Sequence, residues 1–482
     1  MKVAFLASEV IPYAKTGGLA DVAGALPKFL ARLGADIRVF MPLYREVRKK
    51  NLPLEPVLDG ASLDMDGEKL SYSVFAHRAD GVTVLFIDRP EYFNRDCLYG
   101  TSAGDYPDNG ERFAFFCRAA LETMRALRFA PDIVHGHDWQ SALTFAYLRN
   151  TYAGDEFFGR TRTLFTIHNL AYQGLFDRDL LGRVGLPASL FNMKALEFYG
   201  KVNALKAGIL YAAAVTTVSP RYSREIQTPE FGCGLDGLLR ARSGVLHGIL
   251  NGVDYRDWDP ATDRLIPRHY TPSDRTGKTA CRQELARIFG LEAPAGRPIA
   301  GMVTRLAGQK GLDIVCDALE ALLGLGLTLV ILGTGDQKIQ DFLLAAQKKH
   351  PKRIGLKIAF DERIAHTIYA GSDVFLIPSR YEPCGLTQMY AMKYGTVPVV
   401  RATGGLDDSV QEFDPAAGVG NGFKFVDAAQ GPLVEATRRA MTAFSRPDEW
   451  PTLVGNAMAA DFSWERSAAA YLALYNKLLA PA

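Results

Sequence analysis

The amino-acid sequence predicts an α/β protein made of two doubly wound, Rossmann-like domains. Three observations support this fold class: uninterrupted apolar runs of strand length, helix-length segments between them, and a chain of 482 residues. Strands that are covered on both faces are apolar throughout, and helical connections between such strands make them parallel. A chain this long exceeds one hydrophobic core, so we expect two domains of roughly 200–250 residues each.

Ten apolar runs, five in each half of the chain, are the predicted strands. In the first half they are KVAFLAS (2–8), DIRVFMP (36–42), DIVHG (132–136), RTLFTIH (162–168) and VTTVS (215–219). In the second half they are PIAGMVTR (298–305), LTLVILG (327–333), IGLKIAF (354–360), DVFLIPS (373–379) and TVPVV (396–400). SYSVFAHR (71–78) and GVTVLFID (81–88) form a further, antiparallel-looking pair in the first domain.

A change in composition marks the predicted domain boundary. The strand-rich pattern stops near NGVD (251–254), and a polar, proline-containing stretch follows. We therefore predict domains over residues 1–250 and 251–455, and we expect the C-terminal segment 456–482 to pack back on the first domain. The two domains are expected to face a central cleft with the carboxyl ends of their strands, because open α/β sheets bind ligands at those ends.

Composition excludes several classes of protein. A net charge of +2 gives no broad basic surface for nucleic acid. The most apolar stretch, 322–333, is short and contains two glycines, so we expect no membrane span. The six cysteines show no close CxxC pairing, and residues 1–8 lack a signal-peptide pattern. These features predict a soluble, cytoplasmic protein without a metal site or a disulfide framework.

The exit of the first predicted strand carries a motif suited to an anion. KTGGLAD (15–21) places two glycines directly before a helix, where backbone N–H groups can approach a phosphate closely. Lys15 adds a positive charge, and Asp21 lies in the first helical turn. The alternative interpretation is a surface turn followed by an acidic residue that stabilises the helix start.

Two further strand exits in the first domain combine polar side chains with aromatic rings. HGHDWQ (135–140) and TIHNLAYQG (166–174) offer hydrogen-bonding groups and rings of the kind that bind sugars. A metal site at HGH is the competing hypothesis, although the motif has no closing carboxylate pair. At least one of His135 and His137 is open to a purely structural role, and so is His168. Asn169 favours a polyol-binding loop at the second exit.

The second domain has cations where a helix begins. TRLAGQKG (304–311) places Arg305 and Lys310 beside the start of the helix that follows the strand. Cations there oppose the helix dipole, so an anionic ligand such as a diphosphate explains them better than a solvated rim does.

SRYEPCGLTQ (379–388) follows the next strand exit of the second domain. Glu382 offers a carboxylate towards a sugar, and Pro383 sets an extended backbone before a helix. The N–H groups of residues 385–387 form a possible second anion site. Cys384 is interpreted as a small packing residue, because no base partner for thiol catalysis is evident. The loop ATGGL (402–406) follows the strand at 396–400 and is expected to bring backbone groups against ligand hydroxyls.

Taken together, seven stretches resemble bacterial glycogen synthase and plant starch synthase, which are GT-B glycosyltransferases. In chain order they are KTGGLADV (15–22), HDWQ (137–140), TIHNLAYQG (166–174), NGVD (251–254), TRLAGQKG (304–311), SRYEPCGLTQMYAMKYG (379–395) and RATGGLDDSV (401–410). They span nearly the whole chain, and their combination is specific to the family although any one alone would be modest.

The resemblance implies a role for each matching residue. Arg305 and Lys310 hold the diphosphate of a nucleotide-sugar, with Lys15 and the backbone of Gly17 and Gly18 completing that site. His168, Asn251 and Glu382 contact the transferred glucose, and Asp21 and Asp138 lie in the catalytic cleft. The residues expected in the same binding wall are Cys384, Gly385, Leu386, Thr387, Gly404 and Gly405. Phe360 stands where the family often has a tyrosine beside the nucleobase. Catalytic roles are assigned to Glu382, His168, Arg305, Lys310 and Asp138.

The implied activity is transfer of glucose from ADP-glucose to the non-reducing end of an α-1,4-glucan, either glycogen or a maltooligosaccharide. The α configuration is expected to be retained, with no metal or other cofactor. Two alternatives stay open. One is another GT-B glucosyltransferase that uses UDP-glucose or makes maltose 1-phosphate or a sucrose-type product. The other is a non-catalytic protein that binds a glucan or a nucleotide-sugar.

Overall fold

The computed structural model describes residues 1–101, 103–292, 294 and 296–481, and the chain divides into two compact units. Unit 1 contains residues 1–218, 223–252 and the segment from 464 onwards, while unit 2 contains 219–222 and 253–463. These divisions lie close to the predicted boundaries at 250/251 and 455/456. The second one falls later than predicted because the helix Glu449–Ala459 packs into the hydrophobic core of unit 2.

Unit 1 is built on a nine-stranded sheet with the strand order β14-β13-β9-β8-β1-β2-β5-β4-β3. The seven strands from β14 to β5 are parallel, and β4 and β3 continue the sheet antiparallel at one edge. The strands of unit 1 are β1 (Lys2–Leu6), β2 (Asp36–Pro42), β3 (Glu55–Met65), β4 (Glu68–Ala79), β5 (Val82–Asp88), β6 (Gly100–Thr101), β7 (Gly104–Asp105), β8 (Ile133–His137), β9 (Arg162–Ile167), β10 (Leu175–Phe176), β11 (Glu197–Phe198), β12 (Lys201–Asn203), β13 (Ala214–Thr217) and β14 (Leu246–Gly248).

Unit 2 is built on a six-stranded sheet that is parallel throughout, with the order β17-β16-β15-β18-β19-β20. Its strands are β15 (Ile299–Val303), β16 (Thr328–Leu332), β17 (Ile354–Lys357), β18 (Val374–Ile377), β19 (Val397–Arg401) and β20 (Phe423–Phe425). All ten predicted strands are therefore observed, as is the antiparallel pair β4 and β5. Each continuous apolar run became a strand buried on both faces, as its composition requires.

Helices connect and cover the strands of both sheets. In chain order they are α1 (Gly18–Arg32), α2 (Arg45–Lys49), α3 (Pro90–Phe93), α4 (Asn109–Ala126), α5 (Asp138–Asn150), α6 (Leu180–Arg183), α7 (Ala204–Tyr211), α8 (Pro220–Glu225), α9 (Asp236–Ala241), α10 (Thr276–Phe289), α11 (Leu312–Gly324), α12 (Gln337–Lys349), α13 (Glu362–Gly371), α14 (Thr387–Lys393), α15 (Gly404–Ser409), α16 (Gln430–Phe444), α17 (Glu449–Ala459) and α18 (Trp464–Leu479). Among the described residues, no helix is long and apolar enough to cross a membrane.

Helix α1 shows why these segments are helical. Its buried residues Leu19, Val22, Leu26 and Leu30 recur every three or four positions and form one apolar face against the sheet. Burial of each such leucine contributes roughly 1.5–3 kcal/mol. The position of the glycine-rich turn before α1 is thus set by the packing of the helix that follows it.

The C-terminal helix α18 packs in unit 1. Trp464, Tyr471 and Tyr475 belong to the buried core of that unit. The Tyr475 hydroxyl lies 2.7 Å from Nδ1 of His135 on β8, and Ser467 Oγ donates to the carbonyl of Leu250 at 2.7 Å. The end of the chain therefore supports the strand from which the HGHDWQ motif emerges.

Candidate active site

The glycine-rich turn of unit 1 is organised around a buried carboxylate, Glu9. Its Oε2 accepts hydrogen bonds from the backbone N–H groups of Thr16 at 2.5 Å and Gly17 at 2.9 Å. Its Oε1 accepts from the hydroxyls of Thr16 at 2.6 Å and Tyr99 at 2.7 Å. The Gly17 amide, predicted to approach a phosphate, thus donates to a side chain of the same unit. The physical reason is that the Glu9 carboxylate, an anion within the unit, already accepts hydrogen bonds from the exposed N–H groups of Thr16 and Gly17.

Glycine at positions 17 and 18 is not required by the packing of unit 1. A Cβ added at either position would meet no atom within 4 Å, and neither residue has a positive φ. Both residues are exposed, as is Lys15. The Lys15 ammonium lies 2.8 Å from Oδ1 of Asp21. Burial raises the pKa of Asp21, and the Lys15 charge partly opposes that rise.

Asp138 joins the exits of the neighbouring strands β8 and β9. It is the first residue of α5 and has a φ of +55°, a left-handed conformation that costs a non-glycine residue roughly 1 kcal/mol or more. Its Oδ1 accepts the His168 N–H at 2.7 Å, and it also receives a hydrogen bond from the Asn169 backbone. Burial raises the pKa of Asp138 to about 7, against the lowering effect of those two amides.

Two neighbouring imidazoles, one buried and one half-buried, lie beside this aspartate. Nδ1 of His137 and Nε2 of His168 are 2.9 Å apart. Burial lowers the pKa of His168 to about 3 and that of His137 well below its ordinary value, so both rings are neutral at pH 7. His137 Nε2 has no hydrogen-bond partner among the described residues. Because an unpaired buried N–H is the rarer defect, we assign the shared proton to His137 Nδ1.

Other side chains predicted near these exits have mainly structural contacts. His135 bonds Thr166 Oγ1 through Nε2 at 2.6 Å, in addition to Tyr475, so it is a satisfied core residue. The Trp139 ring, considered for sugar stacking, packs against Phe113 and Phe176 inside unit 1. The ring is half-buried, so packing within unit 1 accounts for much of its surface.

Two amide side chains of unit 1 differ in how far their hydrogen-bonding capacity is used. Asn169 Oδ1 accepts from the Ala171 N–H at 3.1 Å and shapes the local turn. Asn251 is buried, and its Oδ1 has no hydrogen-bond partner among the described residues. An unsatisfied buried amide oxygen is destabilising unless a ligand or water completes it.

In unit 2, Lys310 and Glu382 form a direct ion pair. The Lys310 ammonium lies 2.6 Å from Oε2 of Glu382, which also accepts from Ser379 Oγ at 3.0 Å. Both side chains are largely buried. Lys310 follows β15 and Glu382 follows β18, and these two strands are paired neighbours in the sheet. The sequence placed these residues at separate exits, and the parallel pairing brings them into contact.

Arg305 remains exposed at the same strand exit. Its Nη2 donates to Gln309 Oε1 at 2.9 Å. A short 3-10 turn, Gly308–Lys310, separates it from α11, which begins at Leu312 rather than directly after the strand. Gly311 has a φ of +69°, and a Cβ there would lie 2.1 Å from the Pro378 carbonyl oxygen. This close approach holds the cationic turn against the exit of β18.

The loop at Gly404 and Gly405 closes on the Glu382 segment. Gly405 N–H donates to the carbonyls of Glu382 at 3.1 Å and Pro383 at 3.2 Å. A Cβ at Gly404 would lie 1.9 Å from the Glu382 oxygen, and one at Gly405 would lie 2.0 Å from the Cys384 oxygen. We predicted that this loop presents backbone groups to a ligand. In the structure the Gly405 N–H stabilises the segment 382–384, because the two backbones touch, and a ligand contact by the loop stays a prediction.

The stretch after Glu382 is held by one glutamine. Gln388 Nε2 donates to the carbonyls of Cys384 at 3.2 Å and Gly385 at 2.9 Å. Cys384 is buried, in keeping with a packing role, and Gly385 has a φ of +70°. Leu386 is the residue before α14, and Thr387 is its first residue.

Phe360 lies beyond the end of β17, which stops at Lys357 rather than at the predicted residue 360. Its side chain is 92% exposed. An exposed ring after a strand end is accessible for stacking on a planar ligand.

Two family models match most of the chain. The model for the starch synthase catalytic domain matches residues 2–241, and the model for glycosyl transferases group 1 matches residues 286–446. Curated glycogen synthases from Koribacter versatilis and Geotalea uraniireducens are each 47% identical to the chain. Their alignments cover 99% and 100% of the chain, and 98% and 99% of the relatives. The chain belongs to the glycogen and starch synthase family.

Membership of this family makes the chain a glycosyltransferase, and a solved structure agrees with the fold. The catalytic domain of starch synthase IV from Arabidopsis thaliana, bound to ADP and acarbose, matches with a TM-score of 0.90 at 35% identity over 99% of each chain. The predicted GT-B fold class is thereby confirmed. Sucrose-phosphate synthase from Thermosynechococcus elongatus shares the fold at 18% identity, with a TM-score of 0.60 over 99% of this chain and 98% of that one.

The sequence did not reveal several residues that organise the candidate site. Glu9 directly precedes the glycine-rich turn, so a carboxylate beside exposed amides was a usable local indication. Tyr99, which also bonds Glu9, lies 90 residues away and had no local indication. Ser379 and Gln388 were within the quoted motif but had no assigned role. Their importance depends on side-chain directions that spacing alone does not specify.

Proposed function

We propose that this family member transfers glucose from ADP-glucose to the non-reducing end of an α-1,4-glucan with retention of the α configuration. The observation that carries this proposal is the Lys310–Glu382 contact of 2.6 Å at the exits of two paired parallel strands. It puts a cation suited to a diphosphate next to a carboxylate suited to sugar hydroxyls. In a nucleotide-sugar, the diphosphate and the hydroxyl-bearing sugar ring are adjacent and lie on either side of the bond that breaks.

The names of similar proteins and one exposed ring support ADP-glucose as the donor. The relatives carry the name glycogen synthase, and the Arabidopsis starch synthase IV domain was solved with ADP and acarbose. Exposed Phe360 offers a ring for the nucleobase. These observations favour an ADP-sugar as donor and an α-glucan as acceptor.

Charge development explains the proposed roles in unit 2. When the bond between C1 and the phosphate oxygen breaks, negative charge grows on the departing nucleoside diphosphate. Arg305 and Lys310 stabilise that charge, and loss of one such preorganised contact raises the barrier by roughly 3 kcal/mol. Glu382, oriented by Lys310 and Ser379, holds the glucose hydroxyls and keeps C1 accessible on the face from which the diphosphate departs.

Retention follows if the acceptor's 4-hydroxyl attacks C1 from that same face and gives its proton to the departing phosphate oxygen. Retaining hydrolases instead use a nucleophilic carboxylate about 5–5.5 Å from an acid carboxyl. In unit 2 the Glu382 carboxylate is paired with Lys310, which lowers its availability as a nucleophile. We therefore assign Glu382 to orientation of the sugar rather than to covalent catalysis.

Unit 1 carries neutral polar groups and one cation that suit the same class of substrate. His168 is an uncharged imidazole whose backbone is fixed by Asp138. Asn251 has a buried amide oxygen that receives no hydrogen bond from the described residues and can accept one from a sugar hydroxyl. Lys15 and the backbone of Gly18 are exposed and suited to phosphate oxygens.

The deciding experiment is incubation with radiolabelled ADP-glucose or UDP-glucose and maltooligosaccharide, followed by product sizing and digestion with an α-1,4-specific glucosidase. We expect elongation from ADP-glucose and complete release of the label by the glucosidase. Elongation only from UDP-glucose would overturn the donor assignment. Parallel incubations replace the maltooligosaccharide with glucose 1-phosphate or fructose 6-phosphate, and a labelled disaccharide phosphate formed there without glucan elongation would overturn the acceptor assignment.

A further inference from the structure

A small three-stranded sheet in unit 1, together with the segments that precede and join its strands, carries a concentration of exposed apolar side chains. It has the order β10-β12-β11 and is separate from the nine-stranded sheet. Of ten large hydrophobic side chains that are exposed among the described residues, four fall within residues 172–199. They are Tyr172, Leu175, Met193 and Tyr199, of which Met193 and Tyr199 are more than 80% exposed. None of them has a part in the active site described above.

The most exposed of these rings stands on a strained backbone position. Strands β11 and β12 are joined by a two-residue turn, Tyr199-Gly200, with φ values of +49° and +79°. Such a turn favours asparagine, aspartate or glycine, and a tyrosine with a positive φ is uncommon there. Packing does not explain the choice, because 83% of the side chain is exposed. Strain kept at an exposed aromatic residue indicates a function for its ring.

The turn is rigidly supported from beneath. The buried Lys206 ammonium on α7 donates to the carbonyls of Met193 and Glu197, both at 2.8 Å. The Glu197 carboxylate in turn accepts the Gly200 N–H at 2.8 Å. A surface fixed in this way loses little conformational entropy when a ligand binds.

The rings themselves form a compact apolar surface. Phe198 and Tyr199 meet edge to face with centroids 4.7 Å apart. A Cβ at Gly234 would lie 2.9 Å from the Phe198 ring and 3.4 Å from that of Tyr199, so a glycine leaves room for both. We call Phe198, Tyr199 and Met193 the hairpin surface. Exposed charged and amide side chains are close to it in the sequence, namely Asn192, Lys194 and Lys201.

The hairpin surface is connected to the loop that carries His168. After β9 the chain passes through His168 to Gln173 and Gly174, whose carbonyls accept from the N–H groups of Leu205 at 3.0 Å and Ala204 at 2.9 Å. Strand β10 follows and pairs with β12. The hairpin surface therefore belongs to the same loop system as the proposed glucose-contacting histidine.

We propose that the hairpin surface binds glucose units of the acceptor chain away from the end that is extended. Glucose rings have an apolar face that stacks on aromatic side chains and a hydroxyl edge that bonds polar ones. Exposed rings with exposed amide and charged residues nearby in the sequence match that chemistry. We rest this inference on the proposed function only in taking the acceptor to be an α-glucan.

The test uses a substitution that keeps the fold. Tyr199→Asn creates an Asn-Gly turn, which suits the observed φ values, so the melting temperature is expected to stay equal or rise. Tyr199→Phe keeps the ring. Phe342→Ala, on α12 of unit 2, is the matched control because it removes another exposed aromatic side chain.

Initial rates at saturating ADP-glucose are measured against glycogen and against maltose. For Tyr199→Asn we expect the half-saturating glycogen concentration to rise about fivefold, the loss of one aromatic contact. The maltose kinetics and the KM for ADP-glucose stay unchanged. Tyr199→Phe and the Phe342→Ala control are expected to behave as wild type. Unchanged glycogen saturation, or an equal change with maltose, would overturn the inference.

A second measurement separates this inference from the proposed function. Migration in native gels that contain glycogen reports binding without turnover. Weaker retardation of Tyr199→Asn than of wild type supports the hairpin surface even if no nucleotide-sugar is turned over, an outcome that would contradict the proposed function alone. Equal retardation of both proteins overturns the hairpin surface, whatever the activity.

Discussion

The exits of β1 in unit 1 and of β15 and β18 in unit 2 both combine a glycine-rich turn with a cation, yet they use a carboxylate differently. In unit 1, Glu9 accepts backbone and hydroxyl donors and leaves Lys15 exposed. In unit 2, Glu382 neutralises Lys310 itself. Glu9 fixes the shape of a turn, whereas Glu382 fixes the position of the Lys310 charge. Similar glycine-rich turns can therefore be organised by a carboxylate that fixes geometry in one unit and charge in the other.

Removal of the unit 2 cation should have the largest effect. We expect Lys310→Ala to lower kcat by roughly 100-fold or more, because one preorganised contact to the departing diphosphate is lost. Arg305→Ala should act in the same direction. The control is Lys349→Ala, which breaks an exposed ion pair with Glu320. Initial-rate kinetics and thermal melts check the prediction, and near-wild-type turnover in both Lys310→Ala and Arg305→Ala would remove these cations from the mechanism.

Glu9→Gln should show that the unit 1 carboxylate acts through the shape of the turn. The NH2 group of a glutamine would replace one accepting oxygen and would face N–H or O–H donors. We expect this to cost about 1.5–3 kcal/mol of hydrogen-bond stabilisation. We expect the KM for ADP-glucose to rise about tenfold, a change of 1.4 kcal/mol in binding, with a smaller change in kcat. Glu46→Gln, at an exposed position, is the control. A fall in kcat with no change in KM would mean that Glu9 acts on the chemistry and not on the turn.

Asp138, like Glu9, accepts hydrogen bonds from backbone amides, and burial raises its pKa to about 7. Between about pH 4 and pH 7 the folded state then binds more protons than the unfolded state. The contribution of Asp138 to the free energy of unfolding is therefore largest below that range and declines as the pH rises. Relative to Asp138→Asn, the wild-type free energy of unfolding should fall by on the order of 2 kcal/mol across this range, since the side chain is partly exposed. Urea unfolding at several pH values measures this, and a difference that is constant with pH would contradict it.

Phe360 should give the smallest effect. Its ring is almost fully exposed, so substitution leaves the fold intact. We expect Phe360→Ala to raise the KM for ADP-glucose about fivefold, in proportion to one stacking contact, and Phe360→Tyr to stay within about twofold of wild type. Fluorescence titration with ADP provides an independent affinity. Equal ADP binding by all three proteins would exclude Phe360 from the nucleotide site.

The sequence predicted the two parallel sheets because each central strand is buried on both faces and shows this in its composition. β8 and β15, for example, were found within two residues of their predicted limits. Strand β3 was missed because its residues are mostly exposed or half-buried and include Glu55, Asp59 and Asp64. The small sheet β10-β12-β11 was missed because strands of two or three residues leave no periodicity to detect.

The candidate site shows the same division between local and long-range information. The strand exits and their glycines, cations and carboxylates were recognisable in short stretches of sequence. The pairing of Lys310 with Glu382, 72 residues apart, depends on which strands are neighbours. The His137–His168 contact likewise depends on β8 pairing with β9. Gly404 and Gly405 were assigned to ligand contact, and in the structure they allow the close approach of two backbones.

We propose that the ion pair of Lys310 and Glu382 binds the donor as a coupled unit, and a double-mutant cycle measures that coupling. The kcat/KM for ADP-glucose is measured for wild type, Lys310→Ala, Glu382→Ala and the double variant, with melting temperatures to exclude unfolding. We predict that each single change lowers kcat/KM strongly and that the double variant is little worse than either one. Fully additive losses, or single variants close to wild type, would contradict the claim.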